Sequence, residues 1–313
     1  MAILVVGSVA LDTVKTPFGQ VEDVLGGAVS FFSLAASLYD RVNMVAVVGE
    51  DFPRRYIEEF RARRIDMTGL HVVPGKTFRW GADYHLDMNA RDTLYTELGV
   101  FGDFQPDVPE EYRHSDLVFL ATIQPTLQLN VLQQAKAAGT VKLTALDTIE
   151  LWINTAREDL IEVIRHVDVL LLAEEEARQL AETPSLRTAA RYILSLGPKM
   201  LVVKQGRYGA VMFGADGSFF AAPAYPLEDV RDPTGAGDSF AGGFLGYLGQ
   251  RLSSGANLTT DDYHRALIHG NITGSFTCED FSVERLRTLT PEQIVARYRE
   301  FVSFTHFEGD WRA

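Results

Sequence analysis

This chain has almost no cysteine. Cys278 is alone among 313 residues, so no disulfide can form within the chain, and the composition suits a reducing cytoplasm. No base stands near Cys278 in the sequence, which argues against a nucleophilic thiol. Positive charge is also scarce: 42 Asp and Glu against 29 Lys and Arg leave a formal charge of −13. Such a surplus repels nucleic acid and anionic membrane surfaces. No apolar run approaches the length of a membrane span, and no repeat, low-complexity run or Pro/Gly/Ser linker divides the chain. The opening Met-Ala-Ile-Leu-Val-Val-Gly reads as a strand, because it lacks the basic leader and cleavage site of a signal peptide. Missing too is Gly-x-x-x-x-Gly-Lys-Ser/Thr, the phosphate-cradling loop with its lysine. If so acidic a chain binds a nucleotide, the positive field must be local: backbone N–H groups, a few cations and a divalent ion.

What is present is a βα rhythm. Continuous apolar runs at 3–6, 42–48, 117–121, 143–146, 169–172 and 201–204 read as buried parallel strands. Helical patterns fall at 29–39, 54–63, 127–138, 160–165 and 263–277. Thr290-Pro291-Glu292-Gln293 starts a last helix, with a cap, a first-turn proline and a glutamine at the third position. The length suits one α/β domain over 1–313. One region breaks the rhythm. From Thr77 to Met88 apolar and polar residues alternate, which predicts a half-buried strand. Asn89 to Asp92 supply turn residues, and residues 93–100 return as a second strand. This hairpin, over about residues 72–103 and joined by 13–22, is expected to form a small separate sheet. Its polar face, with Arg79, is expected to look into the site, and His85 to be a surface residue.

The rest is organised around Asp232-Pro233-Thr234-Gly235-Ala236-Gly237-Asp238-Ser239-Phe240-Ala241-Gly242-Gly243. Pro233 cannot continue a ladder, and the glycines permit close backbone approach. After Asp238 the sequence turns apolar, so a buried helix begins at the glycines. A helix start offers unpaired N–H groups and the positive dipole end, a ready anion site. A carboxylate beside a bound phosphate is repelled unless it takes a proton from an attacking hydroxyl. Anion hole plus base is what phosphoryl transfer to an alcohol needs.

Asp-Pro-Thr-Gly-Ala-Gly-Asp-Ser-Phe resembles the C-terminal signature of the ribokinase-like (PfkB) carbohydrate kinases. The resemblance implies a three-layer α/β/α sandwich with a mostly parallel sheet, plus a β lid over the acceptor. It implies ATP and Mg2+ as donor and cofactor, with Asp238 as base and the N–H groups of Gly235, Ala236 and Gly237 as anion hole. Losing such donors costs a factor of about 10² to 10³ in rate. Asp12 then corresponds to the acid that holds acceptor hydroxyls. Gly26 and Gly27 match the glycine pair against which the acceptor sits. Phe31 stands where many sugar kinases of the family carry Asn, either stacking on a sugar or base or packing in the core. The family's Asn-x-x-Glu maps onto Ala173 and Glu176, giving Glu176 a magnesium-organising role through water. The nucleotide lies against the turn at Gly206, within reach of Lys204, and Asn271 lines the adenine pocket. Asp232 and Thr234 resemble ligands of a monovalent cation such as K+.

The expected activity is ATP-dependent phosphorylation of a small sugar. A nucleoside kinase with the same machinery is the alternative, kept open by Phe31 and the aromatic lid. A non-catalytic binding protein is disfavoured by the intact Asp238 and glycines. A nicotinamide-dependent dehydrogenase fits poorly, because Phe240 and not Gly stands three residues after Gly237. The apolar lid face favours a homodimer.

Overall fold

The computed structural model describes residues 2–306. The strands are β1 (Ile3–Val6), β2 (Ala10–Thr16), β3 (Gly19–Gly26), β4 (Val42–Gly49), β5 (Asp66–Val73), β6 (Phe78–Tyr84) and β7 (Arg91–Glu97). They continue with β8 (Leu117–Leu120), β9 (Leu143–Asp147), β10 (Val169–Ala173), β11 (Met200–Lys204), β12 (Ala210–Gly214) and β13 (Phe219–Ala222). The helices are α1 (Ala28–Ala36), α2 (Arg54–Ala62), α3 (Pro125–Lys136), α4 (Glu150–Thr155), α5 (Arg157–Ile164) and α6 (Glu174–Leu180). Then come α7 (Leu186–Ser195), α8 (Ala236–Ser253), α9 (Thr260–Thr277), α10 (Glu284–Thr288) and α11 (Pro291–Thr305).

Among the described residues, nine strands form one sheet in the order β13-β12-β11-β10-β9-β8-β1-β4-β5. All neighbours from β11 to β5 run parallel, and β12 and β13 extend the edge antiparallel. The apolar runs are continuous because both faces are covered. Ile3 and Val5 of β1 pack with α1, α8 and α9, while Leu4 and Val6 pack with α3 and α5 on the other face. On the first face α8 lies so close to α9 that a Cβ at Gly243 would stand 2.1 Å from Thr273 Oγ1. The last helix starts as its sequence requires: Thr290 Oγ1 accepts the Gln293 N–H at 3.4 Å.

A second sheet has the order β3-β2-β6-β7. The hairpin anticipated over 72–103 occupies 78–97, and its companion segment is 10–26 rather than 13–22. Residues 66–73 instead form the edge of the large sheet as β5, a strand that periodicity did not reveal. The alternation read through Met88 stops at Tyr84. His85 to Ala90 form a turn closed by the His85 N–H to Ala90 carbonyl bond, Met88 takes a φ of 57°, and Leu86 is 86 % exposed. Alternation cannot distinguish a strand from a polar turn that happens to continue the pattern.

Candidate active site

Asp238 lies in the first turn of α8, which begins at Ala236. Gly235 caps that helix with φ 73°, a left-handed conformation, and a Cβ there would lie 2.3 Å from the Phe31 ring. Both demands select glycine. Asp232 pins the loop from beneath. It is fully buried, its Oδ1 accepts the Thr234 N–H at 2.8 Å, and its Oδ2 accepts the Ser282 N–H at 2.9 Å. The result is a fixed helix start, but not the full row of three donors expected: the Ala236 N–H is given to the Pro233 carbonyl at 3.1 Å, which leaves the N–H groups of Gly235 and Gly237.

Three further groups come from the carboxyl ends of neighbouring strands, the edge where open α/β sheets bind ligands. Asp147 ends β9, Glu176 stands in the first turn of α6 just after β10, and Lys204 ends β11. Lys204 Nζ is 2.5 Å from Asp147 Oδ2, and 3.4 Å from where a Cβ on Gly237 would stand. Its ammonium therefore stands beside the loop at Gly237. Glu176 Oε2 accepts the Ala173 N–H at 2.7 Å. Burial pushes the Asp238 carboxyl up to about 7, Asp147 adds to the rise, and Lys204 opposes it. Burial likewise pushes Glu176 up to about 7 against the pull of Lys204. Burial alone would lower Lys204, yet Asp147, Glu176 and Asp238 together raise it.

Asp12 enters from the lid strand β2. Its carboxylate lies directly on Gly26, where a Cβ would stand 1.9 Å from Oδ2. Only glycine at position 26 leaves room for it. Burial, then Asp232 and Asp238, push Asp12 up to about 8, while the Gly27 N–H opposes the rise. Asp12 Oδ1 is buried without a hydrogen-bond partner among the described residues. A buried, unpartnered acceptor is costly unless a ligand satisfies it.

The lid meets the anion loop through its apolar face. Asp12 pairs in register with Trp80, and Val14 with Ala82, so these side chains share one face. Tyr84 completes it, accepting a bond from Thr234 Oγ1 at 3.1 Å. Arg79 is on the opposite face. It pairs with Asp51 at 2.8 Å and Asp23 at 3.1 Å, so the expectation that the polar face looks inward is reversed. Phe31 is 1 % exposed, its ring beneath Gly235. Of the two roles left open for it, the structure shows the packing one. On this lid face Trp80 is half-buried and Tyr84 is buried.

Gly206 opens the turn after β11, and a Cβ there would stand 3.4 Å from Asn89 Oδ1 at the lid tip. Asn271 lies on α9 and donates to the Pro223 carbonyl at 3.2 Å, just beyond β13. Asp147 escaped notice in the sequence as a site residue. Its only signal was an acid at the end of a parallel strand.

A family model described as pfkB family carbohydrate kinase matches residues 3–286. The cytidine kinase of Thermococcus kodakarensis is 32% identical over 247 residues, covering 78% of this chain and 87% of the relative. The 2-dehydro-3-deoxygluconokinase of Thermoproteus tenax is 31% identical, covering 72% and 73%. The crystal structure of an E. coli protein assigned as a ribokinase II, in complex with ATP and Mg2+, superposes with a TM-score of 0.77 at 20% identity, covering 95% and 99%. Family model, fold and the acid-and-amide cleft agree, and the chain belongs to the pfkB family of carbohydrate kinases, as an ATP-dependent kinase of a sugar or nucleoside hydroxyl.

Proposed function

We propose that this chain phosphorylates a hydroxyl of a ribonucleoside. The observation that carries the reading is Trp80 in register with Asp12 on the inner lid face. A carboxyl that grips ribose hydroxyls then stands beside an indole on which a base can stack. The 32% likeness to a cytidine kinase supports it. A free sugar or sugar acid is the second reading, favoured by the 31% likeness to 2-dehydro-3-deoxygluconokinase.

Asp238 accepts the proton of the attacking hydroxyl. As the oxygen–phosphorus bond forms in line, the bond from the γ-phosphorus to ADP breaks. The N–H groups of Gly235 and Gly237 take up charge on the phosphoryl oxygens, and Lys204 adds a cation. Asp12 orients the acceptor through its unpartnered oxygen. Gly26 and Gly27 give the acceptor a surface without side chains. Gly206 and Asn271 border the nucleotide.

Among the described residues no cluster of three or more His, Cys, Asp or Glu forms a metal cage. Magnesium held chiefly by phosphates and water suits such a site. Glu176, with Oε2 occupied, keeps Oε1 for a water of that shell. When bound, the ion offsets charge on the phosphates. The buried Asp232 has no cationic partner among the described residues, which supports a monovalent cation such as K+ behind the loop near Thr234. Exposed Phe18, Leu94 and Leu98 on the lid and its flank support a homodimer through the lid, and the single, half-buried cysteine supports a cytoplasmic setting.

The test is an acceptor panel with ATP and Mg2+, read as ADP release. Ribonucleosides should exceed ribose, fructose and 2-keto-3-deoxy sugar acids by at least ~10-fold in kcat/KM. A free sugar or sugar acid outrunning every nucleoside would overturn the nucleoside assignment and leave the kinase family standing.

A further inference from the structure

Three carboxylates and one ammonium meet at the carboxyl edge of β9, β10 and β11. Asp147 pairs with Lys204, the charges of Glu176 and Asp238 also act on that lysine, and the charge of Asp238 acts on Asp12 of the lid. The ammonium goes to Asp147, at 2.5 Å. That carboxylate cannot easily move. It is 4 % exposed, its Oδ1 accepts the Thr148 N–H at 2.9 Å, and its main-chain carbonyl accepts Gln128 Nε2 at 3.2 Å. Lys204, by contrast, is a flexible stem with an ammonium that can turn to any acid in reach. Of the other acids that raise it, Glu176 acts more strongly than Asp238, but Glu176 Oε2 is held by the Ala173 N–H at 2.7 Å, and Asp238 follows Gly237, beside which the ammonium already stands.

We propose that Asp147 is a positioning residue that holds Lys204 off Asp238, so that the base stays unpaired and the ammonium stays aimed at the terminal phosphate of the donor. A carboxylate in an ion pair is a weaker base, and its lone pairs are no longer free for the acceptor hydroxyl. In the transfer itself Lys204 keeps its proton. The hydroxyl proton goes to Asp238, the new bond forms at the γ-phosphorus, and ADP leaves with the electron pair. The charges around Asp238 agree in sign: Asp147 favours its protonated form and Lys204 the carboxylate. The inference rests on Asp238 as base and not on which acceptor is used.

The experiment is the pH dependence of kcat/KM in Asp147→Asn, Asp147→Glu, Lys204→Met and the double variant Asp147→Asn/Lys204→Met. In Asp147→Asn the lysine turns to Asp238. The rising limb should move about one unit to lower pH and the plateau should fall about 10- to 100-fold. Asp147→Glu should restore most of the plateau. Lys204→Met should move the limb upward and raise KM for ATP. The decisive case is the double variant. With no lysine left to pair with the base, the upward move of the limb that Lys204→Met causes should be larger in the Asp147→Asn background than in the wild type. An equal or smaller move there would overturn the proposal and leave Asp147 a structural ion-pair partner. If Asp147→Asn fails to fold, Asp147→Ser is read instead by the Asp238 carboxyl 13C titration, without turnover. Its midpoint should move to lower pH and return upward in Asp147→Ser/Lys204→Met, and a midpoint that does not move down in Asp147→Ser would overturn the proposal.

Discussion

The cleft has two acids in opposite electrical company, Asp12 buried and Asp238 half-buried. Asp238 shares its surroundings with Lys204, which pulls against the effect of burial and leaves the carboxyl near 7. Asp12 feels the carboxylates of Asp232 and Asp238, has no salt-bridge partner among the described residues, and is pushed up to about 8, chiefly by burial. The difference separates their tasks. A group near 7 is charged often enough at neutral pH to take a proton. A group near 8 is largely protonated there, so it both donates and accepts hydrogen bonds, as recognition of neighbouring hydroxyls demands. On the proposed reading, the donor end of the cleft is arranged around a cation, and the acceptor end around an acid kept neutral.

The largest break in that contrast is Asp238→Asn. The side chain keeps its shape and loses its basicity, so kcat should fall by about 10³-fold with KM for ATP little changed. Melting temperature should hold or rise, because a strained charge is removed. A variant within tenfold of wild type would leave the two acids without distinct roles.

A smaller effect is expected at the acceptor end. Trp80→Leu should raise KM for a nucleoside about 10-fold and leave KM for ATP alone, because one base–aromatic stack is worth ~1–3 kcal/mol. Trp80→Phe should recover most of the loss. An equal effect on both substrates would mean that Trp80 serves lid packing against Val14, Ala82 and Tyr84 and not the acceptor.

These two ends were unequally legible in the sequence. The donor end could be read from Asp232 to Gly243 because a helix start, its glycines and its acid lie within one contiguous stretch. The strands that carry Asp147 and Lys204 were legible as strands, but their pairing was not, since 57 residues separate them and only the sheet order brings them together. The acceptor end depends on which lid face turns inward. Period two reports two faces and says nothing about which is covered. Arg79 seemed the inward group because sites are often polar, yet Asp51 and Asp23 hold it outside. Phe31 was equally ambiguous, since an aromatic after paired glycines suits either a ligand or a core. The core won through the space above Gly235.

The smallest effect is on stability, and its sign follows from the same contrast. Asp12 binds its proton up to about pH 8 in the folded chain, against 3.8 ordinarily. Between those values the native state holds a proton that the unfolded state has lost, so this stabilisation is full below about pH 4 and disappears as pH rises through about 8. Asp238, Glu176 and Asp232 are raised as well and act in the same direction. The ligand-free protein should therefore melt at a lower temperature at pH 8.5 than at pH 5.5. Asp12→Asn carries no charge at either pH, so its melting temperature relative to wild type should rise by ~3–5 °C between pH 5.5 and pH 8.5. Scanning calorimetry of both proteins at the two pH values measures the difference directly. Parallel melting shifts in the two proteins would mean that Asp12 is charged in the folded state at neutral pH, and the acceptor end would then need a cation that the contrast assigns only to the donor end.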